Sequence, residues 1–268
     1  LYGVIAHIDI RKMFVGGILP GILLVSTISV MGVIHAVRGR AGKSPFSIRE
    51  VGRSLGGAAW ELLLPVLILV SFFSGYATLV ETGAIAVVYA LIVEVGIKRD
   101  IPLKRIPQVA GSCIPVIGGV LVILALANGL SYVIVDAQIP TAFAKWCAAH
   151  IESKYLFLLL LNGALLLVGC LMDVFSAIMV VGPLIIPLGE TFGIDPVHLG
   201  IIFLANLELG YLTPPVGLNL FLASYRFDEP LTVIYRMVLP FLGLLLITVL
   251  LITYVPWLTT ALLGVFRF

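Results

Sequence analysis

The chain has 268 residues, of which 61% are hydrophobic and only 11% are charged, and its mean hydropathy is +1.18. A typical soluble domain is about 25% charged, so this composition argues against a soluble enzyme and indicates a protein that lies in a lipid bilayer. The 16 basic and 14 acidic side chains give a net charge of +2, which indicates neither a nucleic-acid partner nor an acidic one.

The cysteines and histidines give little support to metal chemistry. Cys113, Cys147 and Cys170 lie in apolar sequence without the spacing of a zinc site, and the four histidines are scattered with no HExxH pair. We therefore expect no cofactor. Because the chain begins at Leu1 without a signal segment, we expect it to be a piece of a longer polypeptide.

Long stretches without Lys, Arg, Asp or Glu predict membrane-spanning helices, because a helix needs about 20 apolar residues to cross the bilayer core. Residues 13–37, 106–135 and 237–266 are three such stretches. The predicted fold class is an all-α polytopic membrane protein, with residues 1–268 forming a single membrane domain.

Two basic connectors set the predicted orientation. The positive-inside rule places residues 38–60 and 98–105 in the cytoplasm. Apolar and charged residues alternate at helical spacing over residues 44–59, so the segment 38–60 is predicted as a cytoplasmic amphipathic arm on the membrane surface. A solvated connector is the alternative.

Between these connectors, residues 61–94 must cross the membrane an even number of times, as two short tilted segments or as a re-entrant pair. A polar cluster within this stretch contains Thr78 and Glu81. It is predicted to be a hinge, a wall of the substrate cavity or the exposed end of two short helices, and the sequence does not separate these interpretations.

The apolar run over residues 155–189 is interrupted by Asp173. Counting crossings from the span at 106–135 places both ends of this run outside, so we predict a re-entrant hairpin whose arms meet at residues 169–173. This topology leaves 11 of the 16 basic residues inside. One long crossing is the alternative, and it would move two of those cations outside.

The next apolar run contains the consecutive prolines Pro214 and Pro215. Proline has no backbone N–H, so a helix through this point would leave the carbonyls of Gly210 and Tyr211 without their usual donors. Such oxygens are tolerated at bilayer depth only where protein or a polar cavity covers them, and a small cation can satisfy them. Residues 196–225 are therefore predicted as a discontinuous helix, with a simple kink as the alternative.

The hairpin tip and the broken helix together form a predicted ion and substrate site. In many secondary transporters, unwound carbonyls hold sodium and half-helix N-termini point at an anionic substrate. A carboxylate at bilayer depth is usually functional, although pairing within the bundle is the alternative for Asp173 and Glu208. The predicted substrate or cavity residues are Asp173, Ser176, Asn206, Glu208, Pro214, Pro215, Asn219, Thr78 and Glu81.

Three runs of the sequence resemble the large membrane subunit of tripartite ATP-independent periplasmic (TRAP) transporters, the DctM family. They are ATLVETGAIAVVYAL at 77–91, GCLMDVFSAIMVVGPLIIPL at 169–188 and ANLELGYLTPPVGLNLF at 205–221. The resemblance covers essentially the whole chain but only the second half of the family's subunit, because the Gly-Ser-Ser signature and the double-proline helix of the first half are absent.

The resemblance implies an elevator-type secondary transporter of the bacterial inner membrane, which imports a small organic acid anion together with sodium. The implied partners are a periplasmic substrate-binding protein, a small four-helix membrane subunit and the missing N-terminal half of the same subunit. Carried over onto this sequence, the family's second sodium site falls on Gly169, Met172, Gly210 and Thr213.

Two other functions compete with this one. A dicarboxylate or citrate sodium symporter that works without a binding protein would rest on the same hairpin and broken helix. An intramembrane enzyme would need a catalytic GxSx serine paired with a membrane histidine, or aspartate-rich metal motifs, and we expect neither arrangement here. We therefore expect no enzymatic activity.

Overall fold

The computed structural model describes residues 1–39, 47–74, 76–151, 153–172 and 174–264, and these residues form helices and connecting turns with no strand among them. A π-helical turn over Ile92–Ile97 extends the fifth helix, and short 3-10 turns span Leu103–Arg105 and Ala261–Gly264. The helices are α1 (Tyr2–Ile5), α2 (Ile10–Arg38), α3 (Ile48–Gly57), α4 (Ala59–Phe73), α5 (Leu79–Leu91), α6 (Ile106–Asp136), α7 (Ile139–His150), α8 (Lys154–Leu171), α9 (Val174–Thr191), α10 (Pro196–Gly210), α11 (Leu218–Phe227), α12 (Leu231–Tyr254) and α13 (Trp257–Thr260).

Five of the described helices are long and apolar enough to cross a membrane, and the bent pair α3–α4 is a sixth candidate. Two of the three predicted spans are confirmed as helices, because α2 contains residues 13–37 and α6 contains residues 106–135. The third prediction, 237–266, is wrong at its end. Helix α12 stops at Tyr254 because Pro256 cannot continue the hydrogen-bond ladder and restricts the residue before it.

The contacts divide the chain into two compact units, although the sequence predicts one domain. The first unit comprises Leu1–Arg40 and Val120–Phe268, and the second comprises Ala41–Gly119. The second unit is therefore one continuous segment inserted into the sequence of the first. The chain passes from the second unit back to the first within α6, between Gly119 and Val120.

In the second unit, α4 and α5 form an antiparallel pair. The hydroxyl of Tyr89, near the end of α5, donates to the carbonyl of Trp60 at the start of α4 over 2.8 Å, and Lys98 forms an ion pair with Glu61. Helix α3 precedes α4 at a bend of 66° and is capped at its start by Ser47, whose hydroxyl accepts from the Glu50 amide. The exposed helix α3 thus occupies residues 48–57 of the predicted amphipathic arm; residues 40–46 lie outside the described residues.

In the first unit, α10 lies at the centre and packs against α2, α8, α9, α12 and α13. The core between these helices is apolar and fully buried around Leu165 of α8, Phe203 of α10 and Ile252 of α12. Since α10 has buried residues on nearly all sides, it is the element against which both interrupted segments of the unit are positioned.

Both interrupted segments predicted from the sequence contain a break in the structure. The segment 155–189 corresponds to α8 and α9, which are separated at Met172, and the segment 196–225 corresponds to α10 and α11, which are separated by residues 211–217.

The chain turns back on itself between α8 and α9. The Phe157 ring near the start of α8 stacks on Phe192, just after α9, with ring centroids 4.2 Å apart, and Lys154 donates to the Gly193 carbonyl over 3.0 Å. One straight crossing through both helices does not fit these contacts, because the start of α8 and the end of α9 lie side by side. How far the turn enters the membrane stays a prediction.

Candidate ion and substrate site

The C-terminal ends of α8 and α10 touch backbone to backbone at two glycines. A Cβ atom built on Gly210 would lie 2.6 Å from both the Cα and the carbonyl carbon of Gly169, and one built on Gly169 would lie 3.1 Å from the Cα of Gly210. Such an approach is open only to residues without a side chain. The sequence predicts these two glycines in one site, and the structure brings them into contact.

The two helices run parallel at this contact, because the side chain of Asn206, one turn before Gly210, is bonded to Asn162, two turns before Gly169. Each helix carries a partial negative charge of about half an elementary unit at its C-terminus. Two such ends, with their last carbonyls directed the same way, create a negative potential in a setting of low dielectric constant. The arrangement is suited to a small cation.

The path of the chain after α10 differs from the prediction of free carbonyls. The Gly210 carbonyl accepts from the Thr213 amide at 2.9 Å, and the Tyr211 carbonyl accepts from the Asn219 amide at 3.2 Å. A regular helix would supply donors from four residues ahead, whereas this chain turns sharply and supplies amides from three and eight residues ahead. Each carbonyl keeps a second lone pair, so it can still contribute to an ion site.

Thr213 and Gly217 complete the turn beside the glycine contact. The Thr213 hydroxyl donates to the Leu209 carbonyl over 2.9 Å, so Thr213 is held one turn beyond the end of α10. Gly217 has φ of +42°, and the carbonyl oxygens of Tyr211 and Thr213 lie 3.0 and 2.9 Å from the position of a Cβ there. The Gly217 amide also donates to the Cys170 carbonyl over 3.3 Å, which joins the broken helix to the end of α8.

The remaining residues of the hairpin tip lie in or next to the break between α8 and α9. Met172 is half-buried, and its amide donates to the Val168 carbonyl over 2.9 Å. Ser176 is half-buried in the first turn of α9. Asp173 lies outside the described residues, so its predicted role stays a prediction. Of the four predicted sodium ligands, Gly169, Gly210 and Thr213 are thus neighbours, and Met172 is one turn from Gly169.

A side chain of another helix, which the sequence did not indicate, forms a hydrogen bond with the double proline. The Tyr235 hydroxyl, on α12, donates to the Pro215 carbonyl over 2.6 Å. Pro214 is half-buried and Pro215 is exposed, and the peptide bond between them is cis. Asn219 is half-buried at the start of α11. No periodicity or motif marks Tyr235, because its role depends on where α12 packs.

Asn206 lies in the core rather than on an open wall of a cavity. Its side chain is 0% exposed; Nδ2 donates to Asn162 Oδ1 at 2.7 Å and to the Ile202 carbonyl at 2.8 Å. The hydroxyl of Thr253, on α12, donates to the Val249 carbonyl and lies 3.1 Å from the same Asn162 oxygen. Sequence reasoning missed Asn162 because a single Asn in an apolar helix has no visible partner.

Glu208 is exposed on a different side of α10. It lines an open apolar groove of about 480 Å³ together with residues of α2 such as Gly17 and Gly21. Residues 207 and 210, which contact Gly169, point toward α8, and a rotation of about 100° per residue directs position 208 elsewhere. The Glu208 side chain therefore points away from the glycine contact.

Thr78 and Glu81 form the start of α5 in the second unit. The Glu81 carboxylate accepts from the Thr78 amide and hydroxyl over 2.7 and 2.8 Å, and the Glu81 amide donates to the Thr78 hydroxyl over 3.3 Å. These bonds make up a capping box, which satisfies backbone donors that a helix start leaves free. The structure thus gives this pair a local structural role.

The described residues contain no group of His, Cys, Asp and Glu side chains that could hold a metal ion. His198, the histidine in α10, is buried with Nδ1 2.8 Å from the Thr259 hydroxyl and Nε2 3.1 Å from the Thr253 carbonyl, to which it must donate. This histidine thus joins α10 to the segment at the end of α12.

Comparison with known protein families gives one match over nearly the whole chain. The family described as "Tripartite ATP-independent periplasmic transporter, DctM component" matches residues 1–258.

Curated relatives cover the chain but extend well beyond it. The chain is 36% identical over 266 residues to the C4-dicarboxylate TRAP transporter large permease protein DctM of Pseudomonas aeruginosa, covering 98% of this chain and 62% of that protein. It is 30% identical to the sialic acid TRAP transporter large permease protein SiaM of Vibrio cholerae, covering 97% and 61%. It is 31% identical to the isethionate TRAP transporter permease protein DctMQ of Oleidesulfovibrio alaskensis, covering 96% and 41%.

Proposed function

Since the chain belongs to the DctM family of tripartite ATP-independent periplasmic transporters, we propose that it is part of a translocation subunit that imports a small organic acid anion together with sodium. It is a multi-pass membrane protein, and the membrane we propose is the bacterial inner membrane. The proposal concerns the whole subunit, because the chain spans about 60% of the length of most relatives named above.

One observation carries the sodium part of the proposal: two parallel helices end side by side at Gly169 and Gly210, with a sharp turn of the chain next to them. The last carbonyls of both helices, the Thr213 hydroxyl and the carbonyls of the turn supply neutral oxygens. Neutral oxygens at negative helix ends suit a monovalent cation, whereas divalent ions usually bind carboxylates. Gly169, Met172, Gly210 and Thr213 are the proposed ligand residues.

An anionic substrate is supported by the helices that begin after each break. Helices α9 and α11 begin at Val174 and Leu218, and the N-terminus of a helix carries a partial positive charge that favours a carboxylate. The relatives are named for a C4-dicarboxylate, sialic acid and isethionate, all of which are anions at neutral pH. Ser176 and Asn219 lie in the first turns of these helices and are the substrate contacts we favour. Asp173 stays a proposed contact because of its position in the sequence.

The division into two units fits an elevator-type transporter. All proposed ion ligands belong to the unit that comprises Leu1–Arg40 and Val120–Phe268, and none belongs to the unit Ala41–Gly119. We propose that the first unit carries ion and substrate and that the second belongs to the part that stays in place. The proposed partners are a periplasmic substrate-binding protein, a small four-helix membrane subunit and the part of the subunit that this chain does not include.

The alternative of a symporter without a binding protein is not favoured. The relatives reported above are named as permeases of TRAP transporters, and no feature of the described residues points away from that family.

The experiment that tests the proposal is sodium-driven uptake into proteoliposomes by the full-length transporter. The labelled probes are a C4-dicarboxylate, sialic acid and isethionate, each with and without the binding protein. Thr213→Val removes one proposed ligand at nearly constant volume, and we expect it to raise the sodium concentration for half-maximal uptake.

Thr191→Val is the matched control. Thr191 makes the same hydroxyl-to-carbonyl bond four residues back, to Pro187 over 2.8 Å, but it lies at the far end of α9. Its sodium dependence is expected to equal that of the wild type. Uptake that needs no sodium gradient, or identical sodium curves for both variants, would contradict the proposal.

A further inference from the structure

A pair of asparagines joins α8 to α10 inside the apolar core of the first unit. Asn206 Nδ2 donates to Asn162 Oδ1 over 2.7 Å, and Asn162 Nδ2 donates to the Leu158 carbonyl over 2.6 Å. The two side chains are 0% and 2% exposed. A direct amide–amide bond of this kind is short and directional, so it fixes how far one helix can slide along the other.

The pair lies directly behind the contact between Gly169 and Gly210. Asn206 precedes Gly210 by one turn, or about 6 Å along the helix axis, and Asn162 precedes Gly169 by about 10 Å. A shift of either helix at the amide pair would therefore be passed almost undiminished to the glycine contact, since a helix is stiff over one or two turns.

The other side chains in this interface are poorly suited to fixing the register. Leu165, Phe203 and Leu207 are fully buried and apolar. Apolar contacts of this kind can be exchanged for one another when one helix slides along the other, so the register of the two helices depends on close packing at small residues and on interhelical hydrogen bonds. The glycine contact and the amide pair are the two features of that kind here.

The hydrogen bonding of Asn206 argues against a purely stabilising role. Both protons of its amide are used, but no described group of the protein donates to Asn206 Oδ1, although the atom is buried. Replacing two buried polar partners by apolar side chains is often neutral or stabilising, whereas a buried acceptor without a donor is unfavourable. A core selected for stability alone would not need this pair.

We propose that Asn162 and Asn206 are positioning residues for the sodium site, which hold α8 and α10 in the register that brings Gly169 and Gly210 together. This inference rests on the function proposed above. The carbonyls of both helices point toward the C-terminal ends, whereas the two asparagines lie one and two turns before those ends, so neither asparagine binds the ion. The ion therefore lies beyond Gly210, on the side away from Asn206.

The test is equilibrium binding of radioactive sodium to the purified full-length transporter, with choline replacing sodium in the blank. Asn206→Leu and Asn162→Leu each remove the bond from one side, so the second variant serves if the first does not fold. We expect the dissociation constant for sodium to rise about tenfold or more in each. Because both substitutions break the same bond, the double variant is expected to bind sodium no more weakly than the more impaired of the two single variants.

Thermal unfolding separates positioning from general stability. The melting temperature of the double variant is expected to equal or exceed that of the wild type while its sodium affinity falls. Thr248→Val is the matched control, because it removes another interhelical polar contact of the same unit, 3.3 Å from the Thr27 hydroxyl. Its sodium affinity is expected to be unchanged.

Three results would overturn the inference: sodium affinity within twofold of the wild type in both single variants, an equal loss in Thr248→Val, or a loss of affinity that only accompanies a lower melting temperature. A Gly210→Ala variant distinguishes this failure from that of the proposed function. If it loses sodium affinity while the asparagine variants do not, only the inference fails; if it also binds normally, the sodium site itself is wrong.

Discussion

The closest backbone approach in the proposed ion site gives the sharpest prediction. In Gly210→Ala the new Cβ would lie 2.6 Å from two backbone carbons of Gly169. Carbon atoms in ordinary contact are about 3.5–4.0 Å apart, so α8 and α10 must separate by roughly 1 Å. Neither backbone can rotate away as a side chain would, so the displacement falls on the carbonyls that are proposed to hold sodium.

The size of the effect follows from the cost of overpacking, which is about 1–3 kcal/mol for an inserted methyl or methylene group. If the ion-bound arrangement bears that cost, sodium affinity falls about 5- to 150-fold. Gly169→Ala is expected to give a smaller loss, because its Cβ would lie 3.0–3.1 Å from its neighbours. The order of the two variants is therefore predicted as well as the direction.

Sodium binding and sodium-driven uptake by the full-length transporter measure this prediction. Gly163→Ala is the control, since it adds the same methyl group to α8 at a position with no atom within 4 Å. It is expected to leave sodium affinity unchanged. The reasoning is refuted if Gly210→Ala binds sodium as tightly as Gly163→Ala, or if Gly169→Ala is the more damaging of the two.

Two further predictions concern residues at the edge of the site and outside it. Thr78→Ala removes the side chain that caps α5, so the free energy of unfolding should fall by about 0.5–2 kcal/mol. The dependence of uptake on sodium and on substrate should stay unchanged. A raised KM for substrate would instead support a place for Thr78 in the wall of the substrate cavity. Tyr235→Phe removes the 2.6 Å bond to the Pro215 carbonyl, so uptake should need a higher sodium concentration to reach half its maximum than in the wild type. An unchanged sodium curve would limit the role of Tyr235 to packing.

The sequence was sufficient for features that depend on local chemistry. Charge-free length predicted α2 and α6, and the proline pair located the break after Gly210, because both follow from rules that need no tertiary contact. Charge-free length did not predict the end of α12, because the apolar run continues past Pro256, where the helix has already ended.

Features that depend on the path of the chain could not be predicted in the same way. The donors to the Gly210 and Tyr211 carbonyls come from Thr213 and Asn219, and this is decided by how tightly the turn closes. The bond between Asn162 and Asn206 joins residues 44 positions apart. Periodicity shows which face of a helix is apolar, but it does not show which polar residue on another helix will oppose it.

The arrangement at the end of α8 and α10 would also let an ion at the proposed site affect the binding of the substrate. Two parallel helix ends of like partial charge repel one another where their backbones touch. In the structure this repulsion is opposed by the bond from the Gly217 amide to the Cys170 carbonyl and by the asparagine pair. A cation between the ends would remove the repulsion and favour the closed turn. Helices α9 and α11 begin directly after the two breaks, so closing the turn also brings their positive ends toward one place. Sodium binding would thereby prepare the site for an anion, without any direct contact between ion and substrate.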